Sequence, residues 1–238
     1  TARLTHGEKL PSWAKYPMGV AWVLLNEKYP VRGLRGAIRG NVPIGAGLSS
    51  SAAIEVASAM AFCSASGLKI NREKLARICQ RAENEFVGMQ CGIMDQYACL
   101  LGRKGCALFL DCTTLDHETV PLDEAKARIV VCDTKVERRL VNSPYNRRRG
   151  ECQEAFKILK QHLPEAKTYK DISIPMFRAY APNLPEPLLK RARHVVTENA
   201  RVLEAARLLK KGDLISFGSL MDASHDSLRD DFEVSCRE

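Results

Sequence analysis

The stretch Gly40-Asn41-Val42-Pro43-Ile44-Gly45-Ala46-Gly47-Leu48-Ser49-Ser50-Ser51-Ala52-Ala53 constrains the fold of this chain more than any other. It reads as a strand that breaks into a glycine turn and then enters a helix. Gly45 and Gly47 lack a Cβ, so the backbone there can take positive φ and bring its N–H groups close to an anion. Ser49 to Ala52 fall where the helix begins, and a helix start carries N–H groups without internal partners and a partial positive charge. Phosphate suits such a place, and the serine hydroxyls can bond it or ligate Mg²⁺. The same letters also fit an ordinary turn followed by a serine N-cap, and on the residues alone that plainer reading stands beside the phosphate one. A Walker loop is excluded, because no GxxxxGK[ST] occurs and no lysine follows the glycines.

The chain has 238 residues, enough to bury a sizeable core as one large or two smaller domains. With 45% hydrophobic and 27% charged residues it is biased neither toward disorder nor toward a membrane span, and no membrane partner is expected. The opening Thr1-Ala2-Arg3-Leu4-Thr5-His6 has no apolar leader, and a chain that starts on threonine is expected to begin in the middle of a longer one. Nine scattered cysteines without a CxxC pair argue against zinc and for a reducing cytoplasm. The net charge of +8, dense at Arg147-Arg148-Arg149 and at Lys190, Arg191 and Arg193, would permit nucleic acid. Aromatics are only 6% and do not interleave with the basic residues, so no nucleic-acid partner is expected, and most of Arg147 to Arg149 read as a solvated helix face.

Periodicity predicts an amphipathic helix through Trp13, Tyr16, Val20, Val23 and Leu24, then a strand over 34–39 leading into the glycine turn. Residues 50–66 read as a helix apolar on every side, hence buried, and stopped by Gly67. A second helix, 71–86, starts on Asn71, and Gly88 and Gly92 break it before a short helix at 94–101. Strands are expected at 107–111, 118–122 and 128–132. The rest is helical: 147–162, a short helix near Pro175, 186–211 closed by Gly212, and 213–227. The expected class is α+β, with domains at 1–122 and 123–238.

Several segments together resemble one family. Pro43 to Ala53 is similar to the PxxxGLxSSAA motif of the GHMP small-molecule kinases, in the triple-serine form of the galactokinases. Ala82-Glu83-Asn84-Glu85-Phe86-Val87-Gly88, Cys91-Gly92-Ile93-Met94-Asp95-Gln96, the segment from Ser143 to Cys152, and that from Ser224 to Ser235 resemble further galactokinase segments. The resemblance implies the two-domain GHMP fold: an N-terminal part like ribosomal protein S5 domain 2 and a helix-rich, ferredoxin-like C-terminal part, both incomplete here.

It also implies ATP-dependent phosphorylation of galactose at its anomeric hydroxyl, with ATP and Mg²⁺ as cofactors and a monomer as the working form. Gly45, Ala46, Gly47, Leu48, Ser49, Ser50, Ser51 and Ala52 would hold ATP. Ser51 and Glu85 would ligate the metal. Asp95 would be the general base or would orient the attacking hydroxyl, and Gly92 and Tyr145 would join it around the sugar. A kinase for a related sugar such as N-acetylgalactosamine, and a sensor that binds galactose and ATP without turnover, are the alternatives. The family's GEHTDY-like first motif and GGGFGG-like third motif do not occur in these residues. An internal fragment, inactive or nearly so, is therefore expected.

Overall fold

The computed structural model describes residues 11–133 and 144–236, apart from the side chains of 144 and 145. Eight α-helices and two strands are found among them: α1 (Lys15–Asn26), α2 (Ser50–Ser66), α3 (Arg72–Arg81), α4 (Met94–Leu101), β1 (Cys106–Leu110), β2 (His117–Pro121), α5 (Pro144–His162), α6 (Ile174–Tyr180), α7 (Leu188–Lys211) and α8 (Leu214–Asp230). This is an α+β chain, rich in helix with one small sheet. Backbone contacts divide it into two compact units, the first running through Lys104 and the second from Gly105 to Cys132 and again from Pro144 onward.

In the first unit α1, α2, α3 and α4 pack on one another. The core is built from Val20, Val23 and Leu24 of α1, Ala52, Val56 and Ala59 of α2, Leu75, Ile78 and Cys79 of α3, and Tyr97 and Leu100 of α4. Asn71 starts α3 as expected, its side chain accepting the Lys74 N–H at 2.8 Å. Beyond α3 the helix does not stop but widens into a π-helical turn, Ala82–Val87, which ends on Gly88 in the left-handed region (φ 90°). That turn lies close against α1. A Cβ on Gly19 would come within 3.2 Å of Ala82 and Phe86, so any larger residue would have to push the turn away from α1.

Three sequence expectations are corrected here. Residues 34–39 and 128–132 form no strand, and Ile38 and Ile129 stand 60% and 80% exposed. Their apolar residues suit a strand, but the strand exists only when another segment takes its backbone N–H and C=O groups, and none of the described residues does so for either. Helix α2 is not buried all round: Ala52, Glu55, Val56 and Ala59 face the core, while Met60 is exposed. Only one stripe of it meets neighbours.

In the second unit β1 and β2 pair antiparallel, Cys106 opposite Pro121 and Leu110 opposite His117. Leu159, Ile172, Phe177, Leu184, Leu188 and Val196 make its core. Here too the structure departs from expectation. Arg148 does not line a solvated helix face but lies half-buried among acceptors that it shares with the buried Arg191. Arg191, 1% exposed, reaches Glu151 at 2.7 Å, Glu233 at 2.6 Å and the Asp231 carbonyl at 2.5 Å. Arg148 donates to the same Glu151 oxygen at 3.0 Å and to the Phe232 carbonyl at 2.7 Å. A guanidinium with five donors can be buried only where each finds an acceptor, and the chain end from Asp231 to Glu233 provides them.

Candidate active site

The approach to α2 is shaped by three left-handed residues at alternate positions, Gly45 (φ 80°), Gly47 (φ 75°) and Ser49 (φ 56°). Such alternation turns successive N–H groups toward one side, a concavity that suits anions. Ser49 occupies the N-cap position of α2, yet its side chain makes no capping bond. This separates the two readings of the glycine-serine stretch. An ordinary cap would be extended, with its oxygen on a first-turn N–H. Here that oxygen does not close the helix start, and Ser50 and Ser51 follow half-buried in the first turn, with Ala52 buried behind them.

Behind the cradle lies a buried polar cluster. The Ser51 side chain acts on the Glu83 carboxyl and favours its charged form. Glu83 accepts the Cys91 thiol at 3.3 Å and the Gln96 amide at 2.9 Å. The same Gln96 nitrogen donates to Glu55 at 3.1 Å. Glu55 and Gln96 are wholly buried and Glu83 nearly so. Burial, reinforced by the charges of Glu83 and Asp95, pushes the Glu55 carboxyl up to about 9. Burial also raises Glu83, against the side chains of Cys91, Ser51 and Gln96, which lower it. The Cys91 thiol is driven far above its ordinary range by burial and by Glu83, which keeps it a proton donor.

Glu85, the carboxylate expected beside Ser51, sits at the surface instead. Arg81 grips it at both oxygens, Nε–Oε1 at 2.8 Å and Nη2–Oε2 at 3.0 Å. Those bonds hold its carboxyl below the usual range. The place near Ser51 belongs to Glu83, because the π-helical turn carries that side chain inward while Arg81 and Glu85 stay paired on the outside. A signal for this lay in the sequence. Glu83 follows the buried Cys79 by four positions, so it falls on the apolar stripe of its helix, where an unpaired carboxylate is anomalous. Glu55, the lone charge in the otherwise apolar α2, carries the same mark. Gln96 carried none.

Asp95 stands two residues into α4, half-buried. It is not a cap: Ile93 holds that position, without a side-chain bond. Asp95 makes no hydrogen bond or ion pair with the described residues, and its charge is felt by Glu55, Glu83 and Cys99. The backbone leading to it is held in place, since the Asn84 side chain accepts the Cys91 N–H at 2.9 Å and Gln80 donates to the Cys91 carbonyl at 3.4 Å. Gly92 offers room, for a Cβ there would meet nothing within 4 Å. The sharp change of direction is made earlier, at Gly88. Tyr145 lies in α5, but its side chain is outside the described residues.

No three His, Cys, Asp or Glu residues among those described gather as a metal site. Mg²⁺ does not require three. It keeps waters and phosphate oxygens and takes one or two protein ligands, all hard oxygens. The hydroxyl of Ser51 and the carboxylate of Glu83 fit that donor set.

Residues 15–103 match the family described as the GHMP kinases N terminal domain. Galactokinase of Chloroflexus aurantiacus is 47% identical over 226 residues, which are 95% of this chain and 58% of that protein. Galactokinase of Thermotoga maritima is 42% identical over all 238 residues, 65% of its own length. The crystal structure of Lactococcus lactis galactokinase complexed with galactose aligns with a TM-score of 0.86 at 33% identity, over 97% of this chain and 60% of that one. The chain thus spans 58% and 65% of the two relatives named.

Proposed function

This chain belongs to the GHMP kinases and is homologous to galactokinases along nearly its whole length, and from that premise we propose that it acts in phosphorylating galactose at the anomeric hydroxyl, with ATP as donor. The observation that carries the reading is the Asp95 carboxylate, half-buried on a restrained backbone and without a hydrogen bond or ion pair among the described residues, in the same unit as a helix start whose own serine leaves it open.

Phosphoryl transfer asks for positioning and charge neutralisation more than for covalent chemistry. The N–H groups from Gly45 to Ala52 line the cradle for the ATP phosphates. Asp95 accepts a hydrogen bond from the anomeric hydroxyl, aims its oxygen at the γ-phosphorus, and takes the proton as that oxygen bonds to phosphorus and ADP departs. Gly92 leaves space for the sugar. Ser51 and Glu83 would hold Mg²⁺. When bound, the metal would offset the charge on the transferring phosphate. The hydrogen bonds from Cys91 and Gln96 to Glu83 aim its carboxylate at the α2 start.

Nine cysteines, none in a disulfide, support a reducing compartment, and we assign the protein to the cytoplasm as a monomer. Among the described residues no helix is long and apolar enough to cross a membrane. The test is release of ADP by the complete gene product with ATP, Mg²⁺ and each of a panel of sugars. Turnover with galactose above N-acetylgalactosamine supports the reading. Tight binding of galactose without ADP release would give the site to a sensor.

A further inference from the structure

Gln96 spends both hydrogens of one amide nitrogen on carboxyl groups from two other elements, Glu55 of α2 at 3.1 Å and Glu83 of the π-helical turn at 2.9 Å. Few side chains can do this. Leucine offers no donor, a hydroxyl only one, and an amide turned the other way would leave both carboxyls without its N–H donors. We propose that Gln96 is a positioning residue for phosphoryl transfer, a buried clamp that fixes the start of α4 against α2 so that Asp95 and Ser51 keep their separation. The proposal rests on the kinase reading.

Both ends of the clamp adjoin that reading's residues. Asp95 precedes Gln96 directly, so a shift of the first turn of α4 that strains or frees the amide carries Asp95 with it. Glu55 follows Ser51 by four positions, about one helical turn, so the other end is tied to the cradle. Displacement of a reacting group by about 1 Å can cost on the order of 10²-fold in rate. Stability alone would not select this arrangement. Glu55 Oε1 and Gln96 Oε1 are both buried without a hydrogen-bond partner, and an apolar pair of similar shape would remove that penalty.

The test compares Gln96→Leu with the double variant Glu55→Leu/Gln96→Leu in the complete gene product. Gln96→Leu should lower Tm and cut kcat about 10- to 100-fold, with KM for sugar and ATP within about 2-fold of wild type. The double variant leaves no unpaired Glu55, so Tm should return toward wild type while kcat stays low. Recovery of kcat along with Tm would make Gln96 a structural residue only and overturn the proposal, as would a Gln96→Leu kcat within about 2-fold of wild type. If the single variant fails to fold, the double variant decides on the same kcat criterion. If the wild type transfers phosphate to no sugar, the kinase reading itself has failed. Amide exchange then decides the clamp: faster exchange over 95–97 in a double variant of restored Tm supports it, and unchanged exchange overturns it.

Discussion

Ser51, in the first turn of α2, favours the charged form of Glu83, in the π-helical turn that follows α3. If this pair holds Mg²⁺, removing either partner should act on the metal dependence. Ser51→Ala and Glu83→Gln should each lower kcat by on the order of 10²-fold and raise the Mg²⁺ concentration for half-maximal activity. Glu85→Gln, which only frees Arg81 at the surface, should do neither. Magnesium titrations of the three variants would decide, and a Glu85→Gln profile like that of Glu83→Gln would return the role to Glu85.

Asp95 makes no hydrogen bond or ion pair with the described residues, so its substitution should separate activity from stability. We expect Asp95→Ala to reduce kcat/KM by about 10²- to 10⁴-fold while folding free energy moves by no more than about 0.5 kcal/mol. Steady-state kinetics beside denaturant melts measure both. A rate near wild type would remove Asp95 from the reaction.

Glu55 should make the fold sensitive to base. Its carboxyl stands at about 9 in the folded protein against an ordinary value of 4.5. Below the ordinary value both states hold the proton and nothing changes. Between the two values the folded state binds a proton that the unfolded state has released, so stability falls as pH rises and levels off above about 9. Glu83 and Asp95 face the same group, and Tyr16, Cys79, Cys91 and Cys99 feel its charge. Glu55→Gln removes this one titration. Urea melts across that range should therefore show a shallower decline for the variant, and parallel declines would mean that Glu55 titrates normally.

In the second unit the buried guanidinium of Arg191 sets the acid limit. Burial opposes ionisation of Glu151, but hydrogen bonds from Arg191 and Arg147 and the charge of Arg148 outweigh it and hold the carboxyl at about 2. A depressed carboxyl contributes stability above its ordinary value and loses it as pH falls toward the folded value, here between 4.5 and about 2. Arg191→Met breaks the network while leaving Glu151 and Glu233 in place, and should cost about 3–5 kcal/mol at neutral pH. Denaturation at pH 7 tests the cost, and a loss under about 1 kcal/mol would show the pairs to be dispensable.

What could be read from the residues and what could not divides along the range of the interactions involved. The helices were legible because each carries its own period and its own stops, Asn71 before α3, Gly67 after α2, Gly212 after α7. Strands β1 and β2 were legible because their partners are joined by a short turn. Segments 34–39 and 128–132 have apolar residues that suit a strand but find no pairing among the described residues, and no local pattern supplies a missing neighbour. At the site the glycine cradle and Asp95 stood out as motifs. Glu83 showed only as an anomaly, a carboxylate on the apolar stripe four positions after Cys79, and Gln96 did not show at all, because its two acceptors come from α2 and the π-helical turn.

The widened turn at Ala82–Val87 also bears on how such a gene can drift. An α-helix turns each residue by about 100° relative to the last. Loss of one codon within this turn would let it relax to an ordinary helix and swing the residues after it around the axis, separating Arg81 from Glu85 and turning the chain after Gly88 away from its present course. Letters here are exchangeable to a degree, whereas the length is not. Descendants of this sequence should accumulate substitutions in the turn long before they tolerate a single insertion or deletion.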